Sequence, residues 1–326
     1  MDATHLKISP EMLLLISEID EFNGSWNASK NLPVQRLKAL KWATTIESVG
    51  ASSRLGGANL SDAEVDELLS NMEIQEFTSS DEQAVAGYGH VLHVIYELYK
   101  DIPLTETHIK QLHAVLFHYS PKDAEHRGHY KSSNEAHATL EMQTLIRVTN
   151  EAFAEQVLHP LIIIGMFIVR FLAIQPFQKG NERLSRILTA LLLLKQGYSY
   201  LPYTSHESIL EAAYEDYVLA LRRTQNSFKI QADENPWLIF FFRSLRTQKE
   251  TLKKEIENQH LLMQILPELT AQILDHVKKE GRATVAQILK GTGAKRPTIK
   301  SYLTQMVKNG ALARHGVGRS TWYTLP

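Results

Sequence analysis

The stretch Ile174–Arg186, which reads IQPFQKGNERLSR, decides how the middle of this chain is interpreted. It follows the apolar segment Leu161–Ile174, and Pro176 ends that helical pattern because proline lacks an amide donor and crowds the preceding turn. A glycine–asparagine turn comes next, and a second helical pattern runs from Glu182 to Lys195. Unpaired amides at a helix start, with a glycine beside them, favour an anion site, although a structural loop with solvated arginines has the same composition.

This stretch resembles the signature of the Fic family, His-Pro-Phe-x-(Asp/Glu/Asn)-Gly-Asn-Gly-Arg-x-x-Arg, in unbroken register. The matching positions are Pro176, Phe177, Gly180, Asn181, Arg183 and Arg186. The resemblance covers roughly residues 31–245 and implies a mainly α Fic-fold core with an N-terminal helical extension. It also implies transfer of AMP from ATP to a protein hydroxyl, with a histidine as the base and an acidic residue as the Mg²⁺ ligand.

Three positions depart from the signature where this chemistry takes place. Gln175 stands at the position of the catalytic histidine, and a neutral amide cannot accept a proton near pH 7. Lys179 replaces the metal-binding acid, and Glu182 replaces the third glycine and is expected to pair with Arg186 four residues later. Losing the base alone costs about 10²–10⁴-fold in rate, so the motif predicts that ordinary AMP transfer is disabled.

The resemblance assigns the altered nucleotide site to one contiguous set of residues. These are Lys179, Gly180, Asn181, Glu182, Arg183 and Arg186. ATP is therefore the candidate ligand, and Mg²⁺ is not expected beside the Lys179 ammonium, which could itself neutralise a phosphate. The histidines from His113 to His137 lack a zinc-binding pattern such as HExxH, and the chain has no cysteine, so no metal site is predicted.

Two further segments are interpreted through the resemblance. Many Fic proteins inhibit themselves with a (Ser/Thr)-x-x-x-Glu-(Gly/Asn) motif, whose glutamate pairs with the second signature arginine. The corresponding stretch is a degenerate motif in which Gly56 stands in place of the glutamate, and its matching positions are Ser52, Ser53, Gly56 and Gly57. A flap that docks the target protein is expected at Ser133, Asn134, Glu135 and Ala136, where a plain surface loop is the alternative.

The last sixty residues differ in charge from the rest of the chain. Residues 270–326 contain ten Lys or Arg against two acids, whereas the remainder contains 25 against 34. Three short helical patterns and two strand-like runs around Gly316–Gly318 predict a winged helix, a layout used for DNA binding. The expected DNA contacts are Lys295, Arg296, Thr298, Lys300, Arg314 and Arg319. The alternative is a winged helix used for protein contacts or dimerisation.

The helical patterns also predict particular boundaries. Ser61 is expected to cap a helix with Glu64 completing a capping box, after a loop over Gly50–Asn59. Single helices are predicted for Ser205–Asn226 and for Leu140–Gln156. Two separate helices, Pro236–Leu266 and Leu269–Lys279, are expected on either side of Pro267.

These observations predict a mainly α protein with an α+β winged helix at its C-terminus. The predicted domains are a helical region at 1–80, a Fic-like domain at 81–245, a connecting helix at 246–267 and a winged helix at 268–326. The apolar segment near residue 165 is shorter than the roughly 20 residues of a membrane span. The N-terminus also lacks a signal-peptide pattern, so a cytoplasmic protein without a membrane partner is expected.

Two functional hypotheses follow from the motif and the basic tail. The first is a DNA-binding regulator whose Fic core is catalytically disabled. The second is a divergent Fic nucleotidyl- or phospho-transferase that modifies a protein target, with Lys179 holding a phosphate. A homodimer fits either hypothesis, since a DNA-binding module gains from two half-sites.

Overall fold

The computed structural model of the chain describes residues 6–28, 34–72, 76–132, 135–308, 311–316, 318 and 321–325, and the backbone alone for 34–36 and 258–268. Helices account for most of these residues, with one small antiparallel sheet near the C-terminus. The predicted mainly α fold class is therefore confirmed. The chain divides into two compact units, Met1–Leu252 and Lys253–Pro326.

The first unit is built from α-helices joined by loops and short 3₁₀ helices. The helices are α1 (Pro10–Ala28), α2 (Val34–Leu55), α3 (Asp62–Ser70), α4 (Ser80–Leu98), α5 (Glu106–Leu116), α6 (Glu135–Glu155), α7 (Pro160–Ile174), α8 (Asn181–Lys195), α9 (His206–Ala212) and α10 (Tyr214–Ser227). Helix α11 (Asn235–Glu280) follows, and the boundary between the two units falls inside it.

Helices α7 and α8 form the centre of the first unit. Every residue of α7 from Leu161 to Val169 is buried, and so is every residue of α8 from Leu184 to Leu194. The indole of Trp237 donates to the carbonyl of Gly165 at 2.8 Å, which ties α11 to α7. Among the described residues, no helix combines the length and hydropathy that a membrane span requires. The motif loop between α7 and α8 is thus held by two helices whose positions are set by core packing.

The end of α2 differs from the predicted loop over Gly50–Asn59, since the helix continues to Leu55. Arg54 explains the longer helix. Its guanidinium donates to both carboxylate oxygens of Glu211, at 2.7 and 3.0 Å, and to Asp62 at 2.9 Å. A forked guanidinium–carboxylate pair fixes geometry as well as charge, so the last turn of α2 is clamped against α9 and α3. Ser61 caps α3 with the predicted capping box.

Three other helix boundaries differ from the sequence prediction. The segment Ser205–Asn226 is divided at Ala213 into α9 and α10, and α6 begins at Glu135 instead of Leu140. The two helices expected on either side of Pro267 are one helix, α11. A proline removes one backbone hydrogen bond without always ending a helix. Pro267 therefore predicted a break that the helix does not have.

A close approach between α4 and α5 gives a test of this packing. A Cβ added at Gly87 would overlap the backbone carbonyl oxygen of Leu116. We expect Gly87→Ala to destabilise the protein by about 1–3 kcal/mol, because the two helices must move apart. Gly24 is the matched control, since it is exposed on α1 and a Cβ there meets nothing within 4 Å, and alanine is the better helix former. Equal midpoints in urea denaturation for the two variants would contradict the packing.

The second unit combines the end of α11 with two short helices and a sheet. These elements are β1 (Ala283–Thr284), α12 (Val285–Thr292), α13 (Arg296–Lys308), β2 (Ala313–His315) and β3 (Trp322–Thr324). The antiparallel sheet has the order β1-β3-β2. Its core contains Leu269, Ile273, Val277, Ile288, Ile299, Leu303 and Tyr323. The second unit therefore has an apolar core of its own.

Candidate functional site

The motif loop is held in one conformation by its own backbone and by Asn181. Gln175 ends α7 in the left-handed region, at φ 46°, which is strained for a residue with a Cβ. The Asn181 side chain accepts from the amide of Phe177 at 3.0 Å and donates to its carbonyl at 2.8 Å. Helix α8 has no side-chain hydrogen bond at its N-cap, Gly180. Its first amides therefore lack a capping side chain, as an anion-binding helix start requires.

The side chain of His113 holds the motif loop in place. Its Nδ1 accepts from the amide of Gly128 at 3.0 Å, so its Nε2 carries the proton and donates to the carbonyl of Lys179 at 3.1 Å. The imidazole stacks on the ring of Phe177, with the ring centroids 3.8 Å apart. A Cβ on Gly180, which has φ 77°, would overlap the ring of Phe117. Packing alone therefore requires a glycine at position 180, whether or not the loop binds a ligand.

Lys179, at the position of the metal-binding acid, already has a counter-ion. Its Nζ donates to Asp123 at 2.9 Å, and Ser120 donates to the other oxygen of the same carboxylate at 2.7 Å. Burial raises the pKa of Asp123, but the hydrogen bonds from Lys179 and Ser120 outweigh it and lower that pKa overall. The ammonium of Lys179 is thus neutralised by Asp123, and position 179 offers no carboxylate to a metal ion.

The two motif arginines lie in different environments. The guanidinium of Arg183 lies over the ring of Phe117, 4.9 Å from its centroid. Arg186 is only 5% exposed and donates to the hydroxyl of Ser52 at 3.1 Å and to its carbonyl at 3.2 Å. The expected pair between Glu182 and Arg186 is therefore wrong. Glu182 lies exposed on the first turn of α8, where its carboxylate keeps its hydration.

A buried polar network extends from Arg186. The hydroxyl of Tyr88 donates to Glu207 at 2.7 Å, and both side chains are buried. Burial raises the pKa of Tyr88 strongly, and the negative charge of Glu207 raises it further, whereas Arg186 and Ser52 lower it. A buried charge must be compensated by partners. This network gives Arg186 a structural role in joining α2, α4, α8 and α9.

A cavity of about 240 Å³ lies beside the motif and the end of α2. Three cationic side chains, Lys122, Lys179 and Arg183, and two carboxylates, Asp81 and Asp123, line it together with Gly56 and Gly57 of the degenerate inhibitory motif. Ser53 also lines this cavity and is 2% exposed, and its hydroxyl has no hydrogen-bond partner among the described residues. The lining therefore has one more cationic than anionic side chain, and one of its ion pairs, Lys179 with Asp123, is already formed.

Two of the four residues expected in a docking flap, Glu135 and Ala136, lie in the first turn of α6. Ser133 and Asn134 lie outside the described residues. Just before them, Tyr130 forms an isolated antiparallel bridge with Phe177, and the amide of Lys131 donates to the carbonyl of Pro176 at 2.9 Å. A short β-type contact therefore runs along the edge of the motif loop.

Two buried histidines make the stability of the first unit dependent on pH. Burial lowers the pKa of His113 and of His206 to about 4 each. As the pH falls below about 6.5, the unfolded chain binds protons that the folded chain does not. The free energy of unfolding should then fall by up to about 1.4 kcal/mol per pH unit for each histidine, down to about pH 4. Urea denaturation between pH 7.5 and 4.5 measures this loss.

The His113→Gln variant separates this histidine from other titrating groups. It is expected to be less stable at pH 7.5 and to show a shallower loss of stability between pH 6.5 and 4.5, because one proton-uptake site has been removed. An unchanged slope would show that His113 does not remain neutral in the folded protein.

Basic side chains are exposed at the start of α13. Helices α12 and α13 are joined by a three-residue turn, Gly293 to Lys295, in which Gly293 has φ 66°. Ile299, Tyr302, Leu303 and Met306 are buried on one face of α13. Lys295, Arg296 and Lys300 are exposed and Thr298 is half-buried, while Arg314 is exposed on β2. Arg319 lies outside the described residues.

Two family models match separate parts of the chain. Residues 103–193 match the model of the Fic/DOC family, and the fold around the motif loop is Fic-like. Residues 264–321 match a second family, described as a bacterial protein of unknown function (DUF977). The first match covers α5 to most of α8, and the second covers the basic unit.

Solved structures show the same fold at low sequence identity. A Fic family protein from Desulfovibrio desulfuricans G20 matches with a TM-score of 0.63 and 20% identity, over 98% of this chain and 97% of that one. A Fic domain containing signaling protein from Bacteroides thetaiotaomicron VPI-5482 matches with a TM-score of 0.57 and 20% identity, over 75% and 98%. Fic-1 (residues 134–508) from C. elegans matches with a TM-score of 0.62 and 14% identity, over 76% and 72%.

Several residues around the motif were not identified from the sequence. Asp123, His113 and Ser52 contact motif residues that are 56, 66 and 134 positions away along the chain. Asp123 lies in a polar stretch and His113 in an ordinary helical pattern, and neither pattern carries a signal of its function. Ser52 was predicted, but as a remnant of an inhibitory motif and not as the hydrogen-bond partner of Arg186.

Proposed function

We propose that this protein is a DNA-binding regulator whose Fic-like core no longer catalyses ordinary AMP transfer. The observation that carries the proposal is the exposed basic start of α13, which follows α12 through a short glycine turn. Two helices joined by a three- or four-residue turn, often with glycine, form the helix-turn-helix unit, whose second helix enters the major groove. Lys295, Arg296 and Lys300 would then meet DNA at the start of that helix.

The sheet of the second unit supports the assignment of a winged helix. Strands β2 and β3 form a hairpin. The short strand β1, which lies between α11 and α12 in the sequence, pairs with β3. His315 stacks on Trp322 with the ring centroids 4.1 Å apart, and Tyr323 is buried in the core. These rings stabilise the hairpin, and among its described residues Arg314 is an exposed cation on β2. Such cations supply salt-dependent affinity for phosphates.

The proposed loss of catalysis is supported by the partners of the motif cations. Gln175 cannot act as a base near pH 7. Lys179 is paired with Asp123, and Arg186 is buried against Ser52. By the resemblance, nucleotide binding would need a metal-ligating acid in place of Lys179. It would also need an Arg186 side chain that is free to contact phosphate and is not bound to Ser52. Each contact opposes the arrangement that the resemblance implies for ATP and Mg²⁺.

The alternative is a divergent transferase that binds phosphate without a metal. The cavity of about 240 Å³ beside the motif favours this alternative, because its three cations outnumber its two carboxylates, Asp81 and Asp123. In such an enzyme, Lys179 would neutralise phosphate charge, and a base other than Gln175 would activate the target hydroxyl of a protein. Calorimetry with ATP, with and without Mg²⁺, distinguishes the two. Tight binding followed by turnover would support the transferase.

Two measurements on the unaltered protein test the proposed function. In the first, fluorescence anisotropy follows binding to a mixed-sequence DNA duplex as the salt concentration rises. We expect binding that weakens steeply with salt. In the second, tagged ATP is incubated with the protein and a cell lysate, and no labelled protein is expected. Labelling without DNA binding would overturn the proposal.

A further inference from the structure

A second cavity, of about 550 Å³, lies on the first unit between α6, α7 and the segment after α10. This volume is in the range of sites that hold small molecules. Its apolar wall is formed by Leu140, Leu145, Val148, Ala173, Ile174 and Phe228. Leu140 is 64% exposed, although it is a large apolar side chain. A ligand that covered this wall would remove apolar surface from water.

One arginine, Arg170, lies among the lining residues of this cavity, together with His137 and Glu141, whose side chains are 3.2 Å apart. It donates to Glu234 at 2.6 Å, and Glu234 is only 4% exposed, so the guanidinium is held in place. The Nε of Arg170 is buried and has no hydrogen-bond acceptor among the described residues. A buried donor without a partner is costly. The cavity therefore offers a fixed guanidinium beside an apolar wall.

We propose that this cavity binds a small monocarboxylate with an apolar body, whose carboxylate contacts Arg170 and whose body covers the apolar wall. A planar guanidinium matches the geometry of a carboxylate. A single negative charge suits the site better than a phosphate group, because Glu234 pairs with Arg170 and a second carboxylate, that of Glu141, lines the same cavity. None of the described lining residues is a lysine.

Octanoate is the probe that tests this proposal, with octan-1-ol as a ligand of similar apolar length but no charge. Isothermal titration calorimetry on the full chain is expected to show one octanoate site. Octan-1-ol should bind about tenfold more weakly or worse, because it cannot form the charged hydrogen bonds to Arg170. Equal affinities for the two ligands, or no octanoate binding at millimolar concentration, would overturn the proposal.

Two variants locate the binding within the cavity. Ala173 is exposed, so Ala173→Phe fills the space without altering the core and should weaken octanoate about tenfold or more. The double variant Arg170→Gln, Glu234→Gln removes the anchor without leaving a buried charge unpaired. It should lower the affinity for octanoate to that for octan-1-ol and leave octan-1-ol unchanged. Unaltered octanoate binding in Ala173→Phe would show that the ligand lies elsewhere.

Discussion

The triple variant Gln175→His, Lys179→Asp, Glu182→Gly is expected to transfer AMP from ATP at least about 100-fold faster than the unaltered protein, which should remain at background. The histidine restores a general base, worth about 10²–10⁴-fold in rate. The introduced aspartate replaces the lysine that now pairs with Asp123. The two neighbouring carboxylates would then attract Mg²⁺. Labelling with a tagged ATP, with Mg²⁺ present and absent, measures the gain.

A matched variant separates the base from the metal ligand. Gln175→His, Lys179→Gln, Glu182→Gly restores the histidine and the glycine but leaves a neutral side chain at position 179. It should be much less active than the first triple variant, and its activity should not depend on Mg²⁺, because an amide is a poor ligand for this ion and the restored histidine then acts without the metal. If the unaltered protein labels as fast as the triple variant, the proposed loss of catalysis is wrong. If both variants stay inactive, the three substituted positions do not account for the loss of activity.

Local patterns were sufficient for the parts of this fold that depend on neighbouring residues. The capping box at Ser61 and Glu64 needs only a three-residue spacing, and the burial of α7 follows from its continuous apolar run. The motif loop was located because proline, glycine and asparagine impose backbone conformations whatever surrounds them. These features could be predicted because their causes lie within one turn of helix or one loop.

The partners of the motif cations could not be predicted for the opposite reason. Spacing alone favoured a pair between Glu182 and Arg186, four residues apart on one helix. The structure instead places α2 against the buried side of α8, where Ser52 reaches Arg186. Lys179 likewise pairs with Asp123, which lies in a separate 3₁₀ helix, Pro121–His126. Such contacts depend on how distant helices pack, and a single sequence carries little information about that.

Removing three charges at the start of α13 is expected to weaken DNA binding on the order of 100-fold at physiological salt, by counterion release at three phosphates. The variant is Lys295→Gln, Arg296→Gln, Lys300→Gln, and all three side chains are exposed, so folding of the unit should be unaffected. The slope of log affinity against log salt should also fall by about 0.9 for each lost phosphate contact. Fluorescence anisotropy on the full chain measures both quantities.

The control removes three charges of the same sign from other parts of the same unit. Lys278 and Lys279 lie near the end of α11, and Lys308 lies at the opposite end of α13 from the proposed contacts. Replacing these three with glutamine changes the net charge equally but should reduce affinity far less, since long-range attraction is screened within about 10 Å at 0.1 M salt. Equal losses in the two triple variants would mean that binding depends on overall charge, and that α13 does not enter a groove. A loss confined to the Lys295, Arg296 and Lys300 variant would indicate direct phosphate contact at the start of α13.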